Sequence, residues 1–155
     1  MFEYKYPKGD NTSTVAPIYF INGQMYMLLG RRRDDVDTFP GQWCMPGGFL
    51  NIGTETTEEC AVRELKEETG VDYHIGDLEL YHVHSDPKTD PRGHVVNTCY
   101  IAYLTHIEAV NAVAGDDLAE VRGFPIDEID EMNLAFNHSD LAELAIQRGW
   151  VISDG

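Results

Sequence analysis

The segment from Thr56 to Gly70 carries the markers of both helix ends and a charge pattern that an ordinary helix avoids. Thr56 and Glu59 have the spacing of a capping box, Ala61, Val62 and Leu65 form an apolar stripe, and Gly70 stands where a helix can end on a left-handed residue. The pattern predicts a helix over 56–69. At about 100° per residue, Glu64 and Glu68 fall within about 40° of each other, with Glu67 about 60° to the other side of Glu64. Three carboxylates therefore share one face, and two sit in the last turn, where the macrodipole is already negative. A magnesium or manganese ion would offset that repulsion, because hard cations take carboxylate oxygens together with water and phosphate oxygens. The alternative is a solvated acidic face, eased by Arg63 at i,i+4 to Glu67 and by Lys66.

Around this helix the chain reads as mixed α+β. Residues 14–21 and 24–29 are strand-like and flank Asn22-Gly23, the dipeptide suited to a two-residue hairpin turn. Arg31-Arg32-Arg33, Asp34-Asp35, Pro40-Gly41 and Pro46-Gly47-Gly48 mark a long polar connection. Further strands are expected at 77–84, 95–104 and 119–124, with a turn-rich stretch at 85–93. A final helix is expected from Ser139, as N-cap, to Arg148 before Gly149. No repeat, low-complexity tract or linker interrupts the 155 residues, so one domain over 1–155 is expected.

Charge narrows the partners. Eleven Lys+Arg against 27 Asp+Glu give a net charge of −16, which repels nucleic-acid polymers and anionic membranes over most of the surface. A small anion can still bind where a metal ion or a few arginines reverse the sign locally. Cys44, Cys60 and Cys99 are odd in number and form no CxxC pair, which argues against a disulfide framework or a thiolate zinc site and for a reducing compartment. Residues 1–10 lack an apolar signal core, and Val15 to Ile21 is too short to span a bilayer, so a cytoplasmic location is expected.

Read together with the loop before it, the helix resembles the Nudix box, G-x5-E-x7-R-E-U-x-E-E-x-G-U with U a bulky aliphatic residue. The matching residues are Gly48, Glu55, Arg63, Glu64, Leu65, Glu67, Glu68, Gly70 and Val71. Two departures stand out: six residues rather than five separate Gly48 from Glu55, and Asn51 occupies a position that is acidic in many relatives. The extra residue precedes the helix and leaves its acidic face unrotated, but it bears on the Gly47 carbonyl and on Glu55. The resemblance implies an αβα sandwich with a mixed central sheet, and hydrolysis of a nucleoside diphosphate linked to another group with magnesium or manganese. It implies metal ligation by Glu64, Glu67, Glu68 and the Gly47 carbonyl, with Arg63 orienting the glutamates and Glu55 fixing Arg63. The base would be Glu64 or a downstream acid, and Asp117 and Glu120 are candidates for base or fourth ligand.

Outside the box, Asp86-Pro87, the run from Asp90 to Val96, Ala114 to Asp117 and Leu134 to His138 resemble bacterial ADP-ribose pyrophosphatases and related ADP-ribose-sensing regulators. Pro87 lies sixteen residues after Val71, close to the spacing that accompanies ADP-ribose hydrolysis in the family. The regulators carry a further winged-helix domain, for which this chain is expected to be too short. The resemblance implies conversion of ADP-ribose, a small nucleotide, to AMP and ribose 5-phosphate. The alternatives are another Nudix substrate (a nucleoside triphosphate, dinucleotide or sugar nucleotide) or a catalytically idle ADP-ribose-binding module. Arg32 and Arg92 are expected near the diphosphate or terminal ribose phosphate, against surface pairing with Asp34, Asp35 or Asp90. Trp43 is expected either to stack on the adenine or to join the core. His82 and His84 share one strand face without complementary metal-ligand spacing, and the oligomeric state stays open, a homodimer included.

Overall fold

The computed structural model describes residues 3 and 5–154, with the backbone alone at Thr89 and 151–154. Met1, Phe2, Tyr4 and Gly155 lie outside the described residues, so part of the decapeptide read as lacking a signal core does too. Asn22 and Gly23 take positive φ angles of 50° and 80° and close the expected hairpin between β1 (Asp10–Ile21) and β2 (Gln24–Arg32), with Ile21 opposite Gln24. The polar connection that follows contributes two short strands, β3 (Trp43–Cys44) and β4 (Gly47–Phe49), before helix α1 (Thr57–Thr69). Then come β5 (Glu79–Asp90), β6 (Gly93–Tyr103), α2 (His106–Val110), β7 (Leu118–Pro125), α3 (Ile126–Ile129) and α4 (His138–Asp154).

The seven strands form one mixed sheet in the order β3-β2-β1-β6-β5, with β4 beside β1 and β7 beside β2; β1 and β6 run parallel and the other pairs antiparallel. Side chains of β1 alternate between two cores. Ala16 and Ile18 pack with Leu141, Ala142 and Ala145 of α4, whereas Val15 and Tyr19 pack with Ala61 and Leu65 of α1. Helices thus cover both faces, which is why β1 reads as an unbroken apolar run rather than an alternating one. The αβα layering expected from the sequence is the layering found.

Beyond strand ends shifted by a few residues, such as the start of β1 at Asp10 and the end of β2 at Arg32, three boundaries differ from expectation. Residues 85–93 are not a loop: β5 continues to Asp90, a bulge intervenes after Asp86, and the chain turns at Pro91-Arg92 so that Asp90 faces Gly93. Because β5 ends the sheet, Pro87 sits on an edge strand, where a missing donor is tolerated. The last helix starts at His138, since the Ser139 hydroxyl is occupied by the preceding turn: its Oγ accepts from the Leu134 N–H at 3.1 Å. Gly149 lies inside α4 rather than ending it. A Cβ there would come within 2.8 Å of Met25 Cε, so its smallness seats the helix on the sheet. Among the described residues no helix is long and apolar enough to cross a membrane.

Candidate active site

Local hydrogen bonds fix α1 at both ends. Thr56 Oγ1 accepts from the Glu59 N–H at 3.1 Å, Glu59 Oε1 accepts from the Thr56 N–H at 2.9 Å, and Gly70 closes the helix at φ 76°. With Ala61 and Leu65 locked in the core, the acidic face cannot rotate away.

Arg63 organises that face. Its Nε and Nη2 donate to the two Glu55 oxygens at 2.9 and 2.8 Å, its Nη1 donates to Glu64 at 2.8 Å and Glu67 at 3.1 Å, and Nη2 also reaches the Phe49 carbonyl at 3.0 Å. Only a planar guanidinium offers donors in a fork of this kind. The Arg63 hydrogen bonds hold the Glu55 carboxyl down at about 2. Burial pushes the Glu64 carboxyl up; Arg63 opposes the shift, and Glu67 and Asp116 add to it. Burial raises Glu68 well above the usual carboxylate range, against the Gly47 N–H that donates to it at 2.7 Å. The two glycines of β4 make this approach possible. A Cβ on Gly48 would stand 2.4 Å from Glu64 Oε1, and one on Gly47 would stand 2.5 Å from the Ser13 carbonyl.

A second segment completes the acidic group. The Val113 and Gly115 N–H groups donate to the Thr69 and Glu68 carbonyls at 2.8 and 3.1 Å, docking the 113–116 turn on the last carbonyls of α1. Asp116, in left-handed backbone at φ 51°, then brings its carboxylate to Glu64 and Glu67, and the ligand oxygens of the three lie within 4.8 Å of one another. Burial, followed by Asp117 and Glu67, raises the Asp116 carboxyl. A set of hard oxygen donors this close suits magnesium or manganese rather than zinc or copper. Glu68 stands apart from the trio, since Gly47 engages it through its amide. Asp116 is not singled out by the sequence, since nothing in its neighbourhood distinguishes it from Asp117.

A cleft of about 290 Å³ opens beside these carboxylates, lined by Glu64, Glu68, Asp116 and Asp117 and also by Arg32 and Arg92. Arg32 is buried and donates to the Thr38 carbonyl at 2.8 Å and its hydroxyl at 3.1 Å; Asp34 and Asp35 pair instead with Arg31 and Arg33. Arg92 does pair with Asp90, at 3.0 and 2.7 Å, yet the same guanidinium lies over the rings of Phe49 and Phe136 at 4.5 and 4.9 Å and lines the cleft. Phe136 and His138, which no spacing rule had singled out, line it as well. So do Thr14 and Asn97, the Thr14 hydroxyl donating to Asn97 Oδ1 at 2.9 Å.

Two expected residues stand elsewhere. Trp43 does not line the cleft: β3 pairs with β2, and the indole packs edge-on against Phe124 at 4.9 Å beside the core, the second of its two expected placements. Glu120 also lies outside the lining, its carboxylate accepting from Arg122 at 2.6 Å and Arg31 at 3.5 Å. Of the histidine pair, His84 lines the cleft and His82 does not, and neither joins the acidic trio.

A family model described as NUDIX domain matches residues 11–145. An ADP-ribose pyrophosphatase of Methanocaldococcus jannaschii is 37% identical over 115 residues, which cover 74% of this chain and 62% of that protein. Nudix hydrolase 3 of Caenorhabditis elegans is 30% identical over 120 residues, covering 76% of this chain and 48% of that one. The chain thus matches less than two thirds of either relative's length. Among solved structures, the NUDIX domain of Shewanella oneidensis NrtR complexed with ADP ribose superposes with a TM-score of 0.81 at 26% identity, covering 92% of this chain and 90% of that one. A MutT/nudix family protein from Listeria innocua gives a TM-score of 0.76 at 31% identity, covering 96% and 99%.

Proposed function

The chain belongs to the NUDIX domain family, and from that premise we propose that it hydrolyses ADP-ribose to AMP and ribose 5-phosphate by attack of water on a diphosphate phosphorus. The observation that carries this reading is one cleft that joins the acidic residues of α1 and the 113–117 turn to Arg32 and Arg92 in a protein of net charge −16. Such a site suits a ligand with a multiply charged centre. Glu64, Glu67 and Asp116 would hold a magnesium or manganese ion, with Glu68 and the Gly47 carbonyl as the further ligands that the family pattern supplies. Bound there, the ion would neutralise diphosphate oxygens and increase the acidity of the attacking water.

The chain's own residues do the rest. Arg63 keeps Glu64 and Glu67 aimed through its Nη1, and Glu55 keeps Arg63 in place by accepting from its Nε and Nη2. Asp117 or Glu64, both at the cleft surface, takes the proton of the attacking water. Glu120 is left out of this role because Arg31 and Arg122 occupy it. Arg32 and Arg92 meet the phosphate charge, and the Phe49 and Phe136 rings lie against the Arg92 guanidinium, whose Nε and Nη2 are paired with Asp90.

The relative that bears the name ADP-ribose pyrophosphatase supports the substrate. A product-resolved assay with magnesium tests it: AMP and ribose 5-phosphate should appear together and should stop appearing with a chelator. Turnover that survives chelation would overturn the metal-assisted reading, and a higher kcat/KM on a triphosphate, dinucleotide or sugar nucleotide would move the substrate within the family. Binding without turnover is the second reading, favoured by the structural neighbour complexed with ADP ribose. Tight ADP-ribose binding with no product would select it.

A further inference from the structure

We propose that His138 is a fixed, neutral hydrogen-bond donor to the ligand in the cleft, its Nδ1 committed to the protein and its Nε2–H presented to a ligand oxygen. The proposal rests on the functional reading above for the identity of that ligand. His138 opens α4 and is 7% exposed, and its Nδ1 accepts from the Met45 N–H at 2.9 Å. A ring nitrogen that accepts carries no proton, so in the neutral imidazole the proton resides on Nε2. Among the described residues that atom has no hydrogen-bond partner. The sole enclosed side-chain nitrogen or oxygen without a partner among the described residues is the Tyr103 hydroxyl, so Nε2 is not sealed off, and the cleft is the space that His138 lines.

The surroundings keep the ring singly protonated. Burial comes first; the Arg32 and Arg92 charges add to it, Asp90 acts in the opposite direction, and the net effect pushes the imidazolium down to about 3. The N-terminus of a helix of 17 residues also disfavours a cation at its first position. The ring plane is set as well. Phe136, at a positive φ of 56° that bulky residues seldom adopt, places its ring 5.2 Å from the imidazole. The cleft therefore offers two kinds of contact: charged guanidinium groups, and an uncharged donor that recognises an oxygen acceptor whatever its charge. A buried donor left unpaired is unfavourable, so this group discriminates for a sugar hydroxyl or phosphate oxygen at its position. It also takes His138 out of contention as the base.

Nitrogen-15 NMR of the histidine-labelled, ligand-free protein tests the proton's position directly. The expected pattern is Nε2 protonated and Nδ1 bare across about pH 5 to 8, the range in which an ordinary histidine titrates. A proton on Nδ1, or titration within that range, would overturn the proposal. The ligand contact is tested with His138→Asn, whose side-chain oxygen can still accept from Met45 while its amide nitrogen is too short to reach the place of Nε2. KM for ADP-ribose is expected to rise about three- to tenfold, the worth of one neutral hydrogen bond. An unchanged KM would overturn the contact. If wild-type protein does not turn over ADP-ribose at all, the proposed substrate falls, and the proton's position in the free protein alone decides the case. The same holds if the variant does not fold.

Discussion

One guanidinium decides how the acidic residues stand. Arg63 serves Glu55, Glu64, Glu67 and the Phe49 carbonyl at once, so what happens to Glu55 reaches the carboxylates beyond it. The folded protein holds the Glu55 carboxyl at about 2 rather than near its usual 4.5, chiefly through the Arg63 hydrogen bond. A carboxyl whose pKa is depressed on folding adds stability that is complete above its unfolded value and is lost as pH falls toward its folded value. Glu55→Gln is therefore expected to be less stable than wild type at neutral pH, with the deficit shrinking between about pH 4.5 and about pH 2. Urea denaturation at each pH checks this, and a deficit constant across that range would assign the loss to packing. These residues also show what a sequence can disclose. Glu55, Arg63, Glu64, Glu67 and Glu68 lie on one loop and one helix, so their spacing alone brings them together. Asp116 arrives through main-chain bonds between a distant turn and the last carbonyls of α1, which no local pattern encodes. Trp43 could not be placed from its neighbours either, because its direction follows from the pairing of β3 with β2.

At the scale of elements, the acidic trio joins the C-terminal half of α1 to the turn docked on its end. Bringing the Asp116 carboxylate against Glu64 and Glu67 raises the electrostatic energy of the folded protein without a cation, and a bound cation relieves it. Magnesium is accordingly expected to raise the thermal midpoint. At about a hundredfold excess over Kd the stabilisation is about 2.7 kcal/mol, or about 5–11 °C for a chain of this size. Differential scanning calorimetry with and without magnesium measures it, and the double variant Glu64→Gln, Glu67→Gln should abolish the rise. A rise of the same size in that variant would place the ion elsewhere. Legibility at this scale depended on where an element's hydrogen bonds come from. α1 supplies its own and carries both caps, so its limits could be read. β5 beyond His84 takes its bonds from β6, which converts a turn-rich run of Asp86, Pro87 and Asp90 into strand at the sheet edge. β3, β4, α2 and α3 span between two and five residues, too few to establish a period.

For the whole molecule, the sum of charges and their arrangement pull in opposite directions. A net charge of −16 repels an anionic nucleotide at long range, whereas Arg32 and Arg92 attract it inside the cleft. Ionic strength separates the two. The screening length is about 30 Å at 0.01 M and about 8 Å at 0.15 M, so dilute salt exposes an approaching ligand to the whole molecule and physiological salt only to what it nearly touches. The arginines act at contact distance, where their guanidinium groups are partly withdrawn from solvent, and salt weakens them less than it weakens the surface field. With free magnesium held constant, kcat/KM for ADP-ribose is therefore expected to rise several-fold between about 0.01 M and about 0.15 M potassium chloride, where a basic protein would show a fall. Arg92→Gln should lower kcat/KM at both ends of that range while leaving the direction of the salt effect intact. A fall of wild-type kcat/KM with salt would mean that the two arginines govern approach as well as binding, and that the acidic surface is arranged so that its field does not reach the mouth of the cleft.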